Sequence, residues 1–189
     1  MTSDALTLDQ EIRLVRGART DARAFGPLYE HYFPLVYNYV FFRVRERAAA
    51  DDLVSAIFMR AVDRLDTYRE RRGPFGVWLF RIAHNLVVDY YRAAARPSPL
   101  PLEQAEPSLL EEATSAEQSL IQSQQTEELL AQVARLPARE QEIISLKFGA
   151  GLTNRKIAAL LGLSENHVAV ILYRAMRKLR RRLAEGEGQ

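Results

Sequence analysis

The sequence has no cysteine, and its three histidines, His31, His84 and His167, do not stand at the spacings of metal ligands. A chain without thiols can form neither a disulfide framework nor a thiolate metal site. Scattered single histidines do not replace those groups. We therefore expect no structural metal and no cofactor.

Long apolar runs are also missing, because no stretch reaches the roughly eighteen apolar residues that a membrane-spanning helix needs. The N-terminus reads Met1-Thr2-Ser3-Asp4 and lacks the apolar segment of a signal peptide. These absences predict neither a membrane span nor a secretion signal, and the expected location is the cytoplasm. The sequence also holds no glycine-rich phosphate loop, catalytic triad or paired-carboxylate motif, so we expect neither an enzyme nor a small-molecule substrate.

Alternating β-branched residues are scarce, and no internal repeat is visible. Such alternation marks strands, so its scarcity predicts an all-α fold. With 189 residues, 48% of them apolar, the chain can build one medium-sized core or two small ones.

Charge is divided unevenly along the chain. Residues 135–189 hold 11 basic and 5 acidic residues, whereas residues 96–134 hold 1 basic and 7 acidic residues. The first 95 residues are nearly balanced, with 14 basic and 12 acidic. On charge alone, the basic segment could bind nucleic acid or simply be solvated, and the acidic one could be an ordinary linker.

The clearest boundary is marked by Pro97, Pro99 and Pro101, which exclude a continuing helix. From there to about residue 125 the chain is rich in Glu, Gln and Ser and poor in large apolar residues. Such a segment buries too little surface to offset its ordering entropy. The sequence therefore predicts two domains, 1–95 and 126–189, joined by a flexible linker, 96–125, that is first proline-rich and then acidic.

In the first domain, apolar residues recur at steps of three and four and predict amphipathic helices. One stripe runs from Phe25 to Phe33, and Pro34 stands where a second helix could start. Asp51 and Asp52 fit the first turn of a third helix. A loop through residues 66–74 leads into a long helix that begins near Phe75.

In the second domain, four helices are predicted, at about 126–135, 138–148, 154–161 and 165–182. Thr153 and Ser164 stand at N-cap positions, and Gly162 fits the turn between the last two helices. The pattern favours a helix-turn-helix over an ordinary helical hairpin.

The second helix of a helix-turn-helix enters the major groove of DNA, with base contacts near its N-terminus and phosphate contacts further along. Asn166 and His167 are candidates for base contacts, and Glu165 could accept a hydrogen bond from cytosine. Arg155 and Lys156 could clamp a phosphate. The alternative for the basic residues 174–182 is a solvated helix end that complements the helix dipole.

A different chemistry is expected around the loop of the first domain, where aromatic residues alternate with arginines. Aromatic rings stack on unpaired bases and arginines follow the backbone, so this composition suits single-stranded DNA. Phe75 and Trp78 fall on an apolar stripe and are more simply interpreted as core. Tyr68 lies between charged residues, and we expect it to be accessible for stacking.

Motifs in both halves resemble those of extracytoplasmic-function (ECF) sigma factors of RNA polymerase. The first half is similar to their promoter-melting domain through Phe25-Gly26-Pro27-Leu28-Tyr29-Glu30-His31-Tyr32, Ala50-Asp51-Asp52-Leu53-Val54, Phe75-Gly76-Val77-Trp78-Leu79-Phe80-Arg81-Ile82-Ala83-His84-Asn85 and Asp89-Tyr90-Tyr91-Arg92. The second half is similar to their helix-turn-helix domain through Leu136-Pro137-Ala138-Arg139-Glu140, Gly151-Leu152-Thr153, Ile157-Ala158-Ala159-Leu160-Leu161-Gly162-Leu163-Ser164 and Arg174-Ala175. The implied fold is a sigma-two-type bundle and a sigma-four-type helix-turn-helix domain joined by the acidic linker.

The resemblance implies a transcription initiation factor that binds core polymerase at the beta-prime clamp and the beta flap, and that contacts promoter DNA. The implied clamp-binding residues are Asp51, Asp52 and Leu53. Those implied at the −10 element are Tyr68, Arg69, Arg71, Arg72, Asn85, Asp89 and Arg92. Those implied at the −35 element are Arg155, Lys156, Ser164, Glu165, Asn166, His167, Arg174, Arg177 and Lys178.

The family also implies an anti-sigma factor as a partner, and a path for the linker through the polymerase cleft. The sequence departs from the family at three positions. Many relatives carry glutamate in place of Lys156, and polar or basic residues in place of Ala169 and Val170.

Two other functions remain to be tested. A helix-turn-helix regulator of the response-regulator type shares a similar C-terminal module, but its receiver domain would alternate strands and helices. An adaptor that binds polymerase without reading DNA would show no sequence preference.

Overall fold

The computed structural model describes residues 6–95 and 126–186. The predicted linker, 96–125, lies outside the described residues. Within those two ranges the chain forms helices and turns and no strand, which confirms the all-α prediction. We refer to residues 6–95 as the N-terminal unit and to residues 126–186 as the C-terminal unit.

The N-terminal unit contains four α-helices and three short 3-10 turns. The helices are α1 (Leu8–Ala18), α2 (Gly26–Val44), α3 (Arg47–Asp63) and α4 (Phe75–Ala94). The 3-10 turns are Ala22–Phe25, Leu65–Thr67 and Glu70–Arg72. Sequence reasoning did not assign α1, although its start carries a capping box in which Thr7 and Gln10 satisfy each other's backbone amides.

Two boundaries differ from the prediction. Pro34 does not start a new helix but lies exposed inside α2. The helix continues because Leu28 and Tyr32 before it, and Val36 and Tyr39 after it, are all buried in the same core, which compensates for the backbone bond that proline cannot make. Helix α3 begins at Arg47, four residues before Asp51.

The C-terminal unit contains four helices, as predicted. They are α5 (126–134), α6 (Ala138–Ile144), α7 (Asn154–Leu161) and α8 (Glu165–Gly186). The chain after α6 continues as a π-helical turn, Ser145–Gly149, whose Leu146 is fully buried.

Helices α7 and α8 form the predicted helix-turn-helix. The hydroxyl of Thr153 accepts from the amide of Lys156 at 3.3 Å, and that of Ser164 accepts from the amide of His167 at 3.2 Å. Gly162 has φ +66°, a conformation that costs little only for glycine. Each predicted cap and the predicted turn residue therefore takes its expected place.

The cores of the two units are continuous. Helix α2 packs against the π-helical turn, and α4 packs against α7. Gly149 lies so close to α2 that a Cβ atom added there would be 3.1 Å from both N and Cα of Tyr39. The prediction of two domains joined by a flexible linker did not include this contact.

Candidate nucleic-acid interface

Helix α8 has one buried and one exposed face. The buried face carries Val168, Leu172, Ala175 and Leu179, each no more than 9% exposed. Asn166, His167, Arg174 and Arg177 are all exposed. The helix therefore presents two hydrogen-bonding side chains near its N-terminus and two arginines about two turns further on, the order that suits base edges followed by phosphates.

Helix α7 holds α8 in place and carries two further candidates. Ile157, Ala158 and Leu160 are buried, and the amide of Leu163 donates to the carbonyl of Ala158 at 3.0 Å across the turn. Arg155 is exposed, whereas Lys156 is half-buried and lines a cavity between the two units.

Other predicted residues at this surface have structural partners as well. Lys178 forms an ion pair with Glu140, with 2.6 Å between Nζ and Oε1. The hydroxyl of Ser164 serves as the N-cap of α8. Glu165 is exposed in the first turn, where its carboxylate is favourably placed toward the helix dipole.

Asn85, Asp89 and Arg92 lie on one exposed face of α4, since they follow one another by four and three residues. Arg92 Nη1 is 3.6 Å from Asp89 Oδ1 in a solvent-exposed pair. The predicted set is therefore brought together as a polar surface of mixed charge.

Tyr68 is buried, which contradicts the prediction that it is accessible. It was expected to be an accessible loop residue, but its side chain is 1% exposed. Its hydroxyl donates to the carbonyl of Gly73 at 3.0 Å. The centroid of its ring lies 5.7 Å from that of Phe75 and 5.8 Å from that of Trp78. The 3-10 turns on either side fold the ring into its own unit, so charged neighbours in sequence did not indicate exposure.

The arginines around Tyr68 remain at the surface. Arg69, Arg71 and Arg72 are exposed, and Arg69 donates to the carbonyls of Asp66 and Tyr68. The neighbouring Glu70 pairs with Arg16 at 2.9 Å, a contact that sequence reasoning missed. The loop is thus an ordered basic surface without an accessible aromatic ring at Tyr68.

Asp51 and Asp52 are exposed on α3, and Leu53 is partly buried against the core. The two acids lie in the second turn of the helix rather than the first, because α3 starts at Arg47. The dipole explanation for the acids is therefore weaker than expected, and they form an exposed acidic pair next to an apolar residue.

Sequence reasoning also missed a buried polar cluster between the units, formed by Glu142 of α6 with Tyr39, Arg43 and His84. Glu142 Oε1 accepts from the hydroxyl of Tyr39 at 2.8 Å and lies 2.9 Å from Nδ1 of His84. Arg43 Nε lies 3.1 Å from Oε2 but without hydrogen-bond geometry, so that attraction is mainly coulombic. Glu142 is 5% exposed and Arg43 is 8% exposed.

The protonation state of Glu142 follows from this cluster. Burial alone would raise the pKa of the carboxyl, but the hydrogen bond from His84 and the charge of Arg43 outweigh it and hold the pKa below its ordinary value. The pKa of Tyr39 is raised by its burial and by the negative charge of Glu142. The cluster is therefore built around an ionised carboxylate.

Across residues 6–95 and 126–186, no group of three or more His, Cys, Asp or Glu side chains could hold a metal ion. Within the same ranges no helix is both long and apolar enough to cross a membrane.

Comparison with known proteins agrees with this arrangement. Sigma-70 region 2 matches residues 28–97, and Sigma-70 region 4 matches residues 133–181. SigD of Mycobacterium tuberculosis, an ECF RNA polymerase sigma factor, is 30% identical over 164 residues, which cover 85% of this chain and 77% of SigD. The chain belongs to the ECF family of RNA polymerase sigma factors. BldN of Streptomyces coelicolor, another ECF sigma factor, is 36% identical over 173 residues, 90% of this chain but 64% of BldN.

Two solved structures share the fold of this sigma factor. CnrH, in complex with the cytosolic domain of CnrY, superposes with a TM-score of 0.67 at 26% identity and covers 93% of this chain and 97% of its own. The sigma factor RpoE of Bartonella quintana, in complex with the anti-sigma factor NepR, also gives 0.67, at 19% identity over 85% of this chain and 96% of its own.

Proposed function

We propose that this sigma factor is a non-catalytic initiation factor that binds core RNA polymerase, recognises −35 and −10 promoter elements and helps to melt the promoter. The observation that carries the proposal is the exposed polar and basic face of α8, held by a helix-turn-helix in a chain with both sigma regions. Regulators of the response-regulator type are not favoured, because the N-terminal unit consists of helices and turns.

The residues divide between three contacts in this proposal. Asp51, Asp52 and Leu53 contact the beta-prime clamp, and the C-terminal unit also meets the beta flap. Around the −10 element, the candidates that remain exposed are Arg69, Arg71, Arg72, Asn85, Asp89 and Arg92. At the −35 element, Asn166 and His167 read bases, Arg174, Arg177 and Arg155 bind phosphates, and Ser164, Glu165, Lys156 and Lys178 complete the surface.

In the structure the two units pack against each other, an arrangement that we call closed. The units have to separate into an open arrangement for both promoter elements to be bound at once. Positions −35 and −10 are about 25 base pairs apart, which is roughly 85 Å of B-form DNA. A compact body of about 150 residues has a radius of gyration of only about 15 Å. The 30 residues from 96 to 125 can span up to about 100 Å when extended. Separation of the two units at the Glu142 cluster would therefore make both contacts possible.

An anti-sigma factor is the proposed inhibitory partner, since RpoE is described in complex with the anti-sigma factor NepR, and CnrH in complex with the cytosolic domain of CnrY. A ligand that binds the closed arrangement more tightly than the open one shifts the population toward the closed form. In this proposal the chain acts in the cytoplasm.

Run-off transcription tests the function. Purified chain and core polymerase are incubated with genomic fragments, and the start sites are mapped. We expect promoter-specific transcripts only when both are present, and weak, nonspecific DNA binding by the free chain, because each unit alone makes a small interface. Tight sequence-specific binding by the free chain would favour the regulator, and polymerase binding with no sequence preference would favour the adaptor.

The division between elements is tested separately. Asn166→Ala or His167→Ala should change base preference in the upstream element alone, by about 1 to 3 kcal/mol for a lost base-specific pair. A change near the start site instead would reverse the assignment of the two units. The logarithm of the DNA affinity falls as the logarithm of the salt concentration rises, and Arg155→Ala should make this slope shallower by about one. An unchanged slope would show that Arg155 does not contact a phosphate.

A further inference from the structure

The exposed face of α8 carries apolar side chains among the polar ones. Val170 is 38% exposed and Tyr173 is 67% exposed, and Ala169 is exposed beside them. Within the described part of the chain, the Tyr173 side chain makes no hydrogen bond and no ring contact. The core of the C-terminal unit does not use these side chains, because the buried face of α8 is formed by other residues.

The apolar pair lies in the middle of the surface proposed to bind DNA. Asn166, Val170, Tyr173 and Arg177 follow one another by four, three and four residues, so they form one stripe along α8. Val170 is the sixth residue of the helix, about 7.5 Å along the axis from Glu165. It therefore stands between the residues proposed to read bases and the arginines proposed to bind phosphate.

The charge of α8 indicates which kind of molecule binds this stripe. From Arg174 onward, α8 has Glu185 as its only acid and carries six basic residues: Arg174, Arg177, Lys178, Arg180, Arg181 and Arg182. That surface complements nucleic acid. In the major groove, the apolar group on a base-pair edge is the C5 methyl of thymine.

We propose that Val170 packs against the C5 methyl of a thymine in the upstream element and makes this sigma factor prefer an A·T pair at that position. The inference rests on the proposed function and adds a specificity-determining residue to it. Valine offers two methyl groups and no hydrogen bond, so a G·C pair would leave polar base atoms against it without partners. The small side chain of Ala169 lets the helix approach the base edges closely.

Replacement of thymine by uracil tests this contact, because uracil keeps every hydrogen-bonding group and lacks only the methyl. Holoenzyme made from the full chain and core polymerase first selects duplexes from a library with a randomised upstream element. Each enriched thymine is then replaced in turn by deoxyuridine. We expect one replacement to weaken wild-type binding by about fourfold, the value for one buried methyl-sized group.

The Val170→Ala holoenzyme should bind the thymine and uracil duplexes equally at that position. Val62→Ala is the matched control, because it removes the same atoms from an exposed valine of α3 and should keep the difference between the two duplexes. A Val170→Ala holoenzyme that still prefers thymine, or a wild type indifferent to every replacement, overturns the assignment of Val170. A library with no upstream enrichment overturns the proposed function as well, so the two failures are distinguishable.

Discussion

Glu11 and Glu142 are both buried glutamates, each 5% exposed, but they join different parts of the molecule. Glu11 lies within the N-terminal unit, where it accepts hydrogen bonds from the hydroxyl of Tyr32 and, at 3.3 Å, from the amide of Phe75. Glu142 lies between the units and accepts from Tyr39 and His84. One carboxylate therefore connects helices within the N-terminal unit, and the other connects the two units.

The charges of their partners also differ. The two donors to Glu11 are neutral, whereas Glu142 faces the guanidinium of Arg43. Both donors to Glu11 belong to the N-terminal unit and stay with it when the units separate, although Glu11 also lines the cavity between the units. Glu142 and Arg43 lie on opposite sides of the contact between the units, here called the seam, so separation breaks their ion pair and returns both charges to water. The ion pair therefore depends on the closed arrangement, whereas the hydrogen bonds of Glu11 depend only on the fold of the N-terminal unit.

The largest effect is expected from Glu142→Ala. The change leaves Arg43 buried without a counter-charge and removes the acceptor of Tyr39 and His84, which costs the closed arrangement about 3 to 5 kcal/mol. We expect the units to separate while both keep their helices. Small-angle X-ray scattering should show a larger radius of gyration at unchanged far-ultraviolet circular dichroism.

The control for this variant is Glu128→Ala, which removes an exposed glutamate from the same unit. Its scattering curve should match that of the wild type. An unchanged radius of gyration in Glu142→Ala would show that apolar packing alone keeps the units together.

Glu11→Ala should have the next largest effect, and of a different kind. Loss of the acceptor leaves the Tyr32 hydroxyl and the Phe75 amide unpaired, at a cost of about 2 to 3 kcal/mol. Urea denaturation should show a less stable N-terminal unit, and the radius of gyration under native conditions should be unchanged. An expanded native state would mean that Glu11 also controls the seam.

Gly149→Ala should weaken the contact between the units without changing any charged residue. The added Cβ would meet backbone N and Cα of Tyr39 at 3.1 Å, and backbone atoms cannot give way as a flexible side chain does. Overpacking of this size costs about 1 to 2 kcal/mol. Fluorescence transfer between labels on the two units should report partial opening. Gly26→Ala, where an added Cβ meets nothing within 4 Å, should leave the transfer unchanged.

Acid should produce the smallest effect. The pKa of Glu142 is lowered in the closed arrangement, so its contribution is complete above the ordinary value of 4.5 and is lost as pH falls through the lowered pKa. Scattering between pH 5.5 and 3.5 should show progressive opening of the wild type. Glu142→Gln should be less sensitive to pH over this range, since it has no carboxyl to titrate. Equal sensitivity would place the titrating group elsewhere.

Local patterns were sufficient to predict most helices of this sigma factor. Steps of three and four residues marked α2, α3 and α4, and the caps and Gly162 marked the helix-turn-helix, because each depends on neighbours within a few residues. Tyr68 was misplaced, because charged neighbours in the chain do not show where a turn directs a ring. The start of α1 is encoded locally as well, in the capping box of Thr7 and Gln10.

The Glu142 cluster could not be found by such reasoning. Glu142 lies in the run Arg139-Glu140-Gln141-Glu142, which has the composition of a solvated helix surface. Tyr39, its partner, is 103 residues away. A contact over that separation depends on how two finished units meet, and no periodicity within either one encodes it.

The late position of Glu142 in the chain has a consequence for newly made protein. Ala94 ends α4, and Glu142 follows 48 residues later. At about 5 to 20 residues per second, translation of that stretch takes roughly 2 to 10 seconds. During this interval Tyr39, Arg43 and His84 have no carboxylate to meet. The N-terminal unit of this chain is therefore made before the carboxylate that pairs with it, and the closed arrangement can form only after residue 142 has been added.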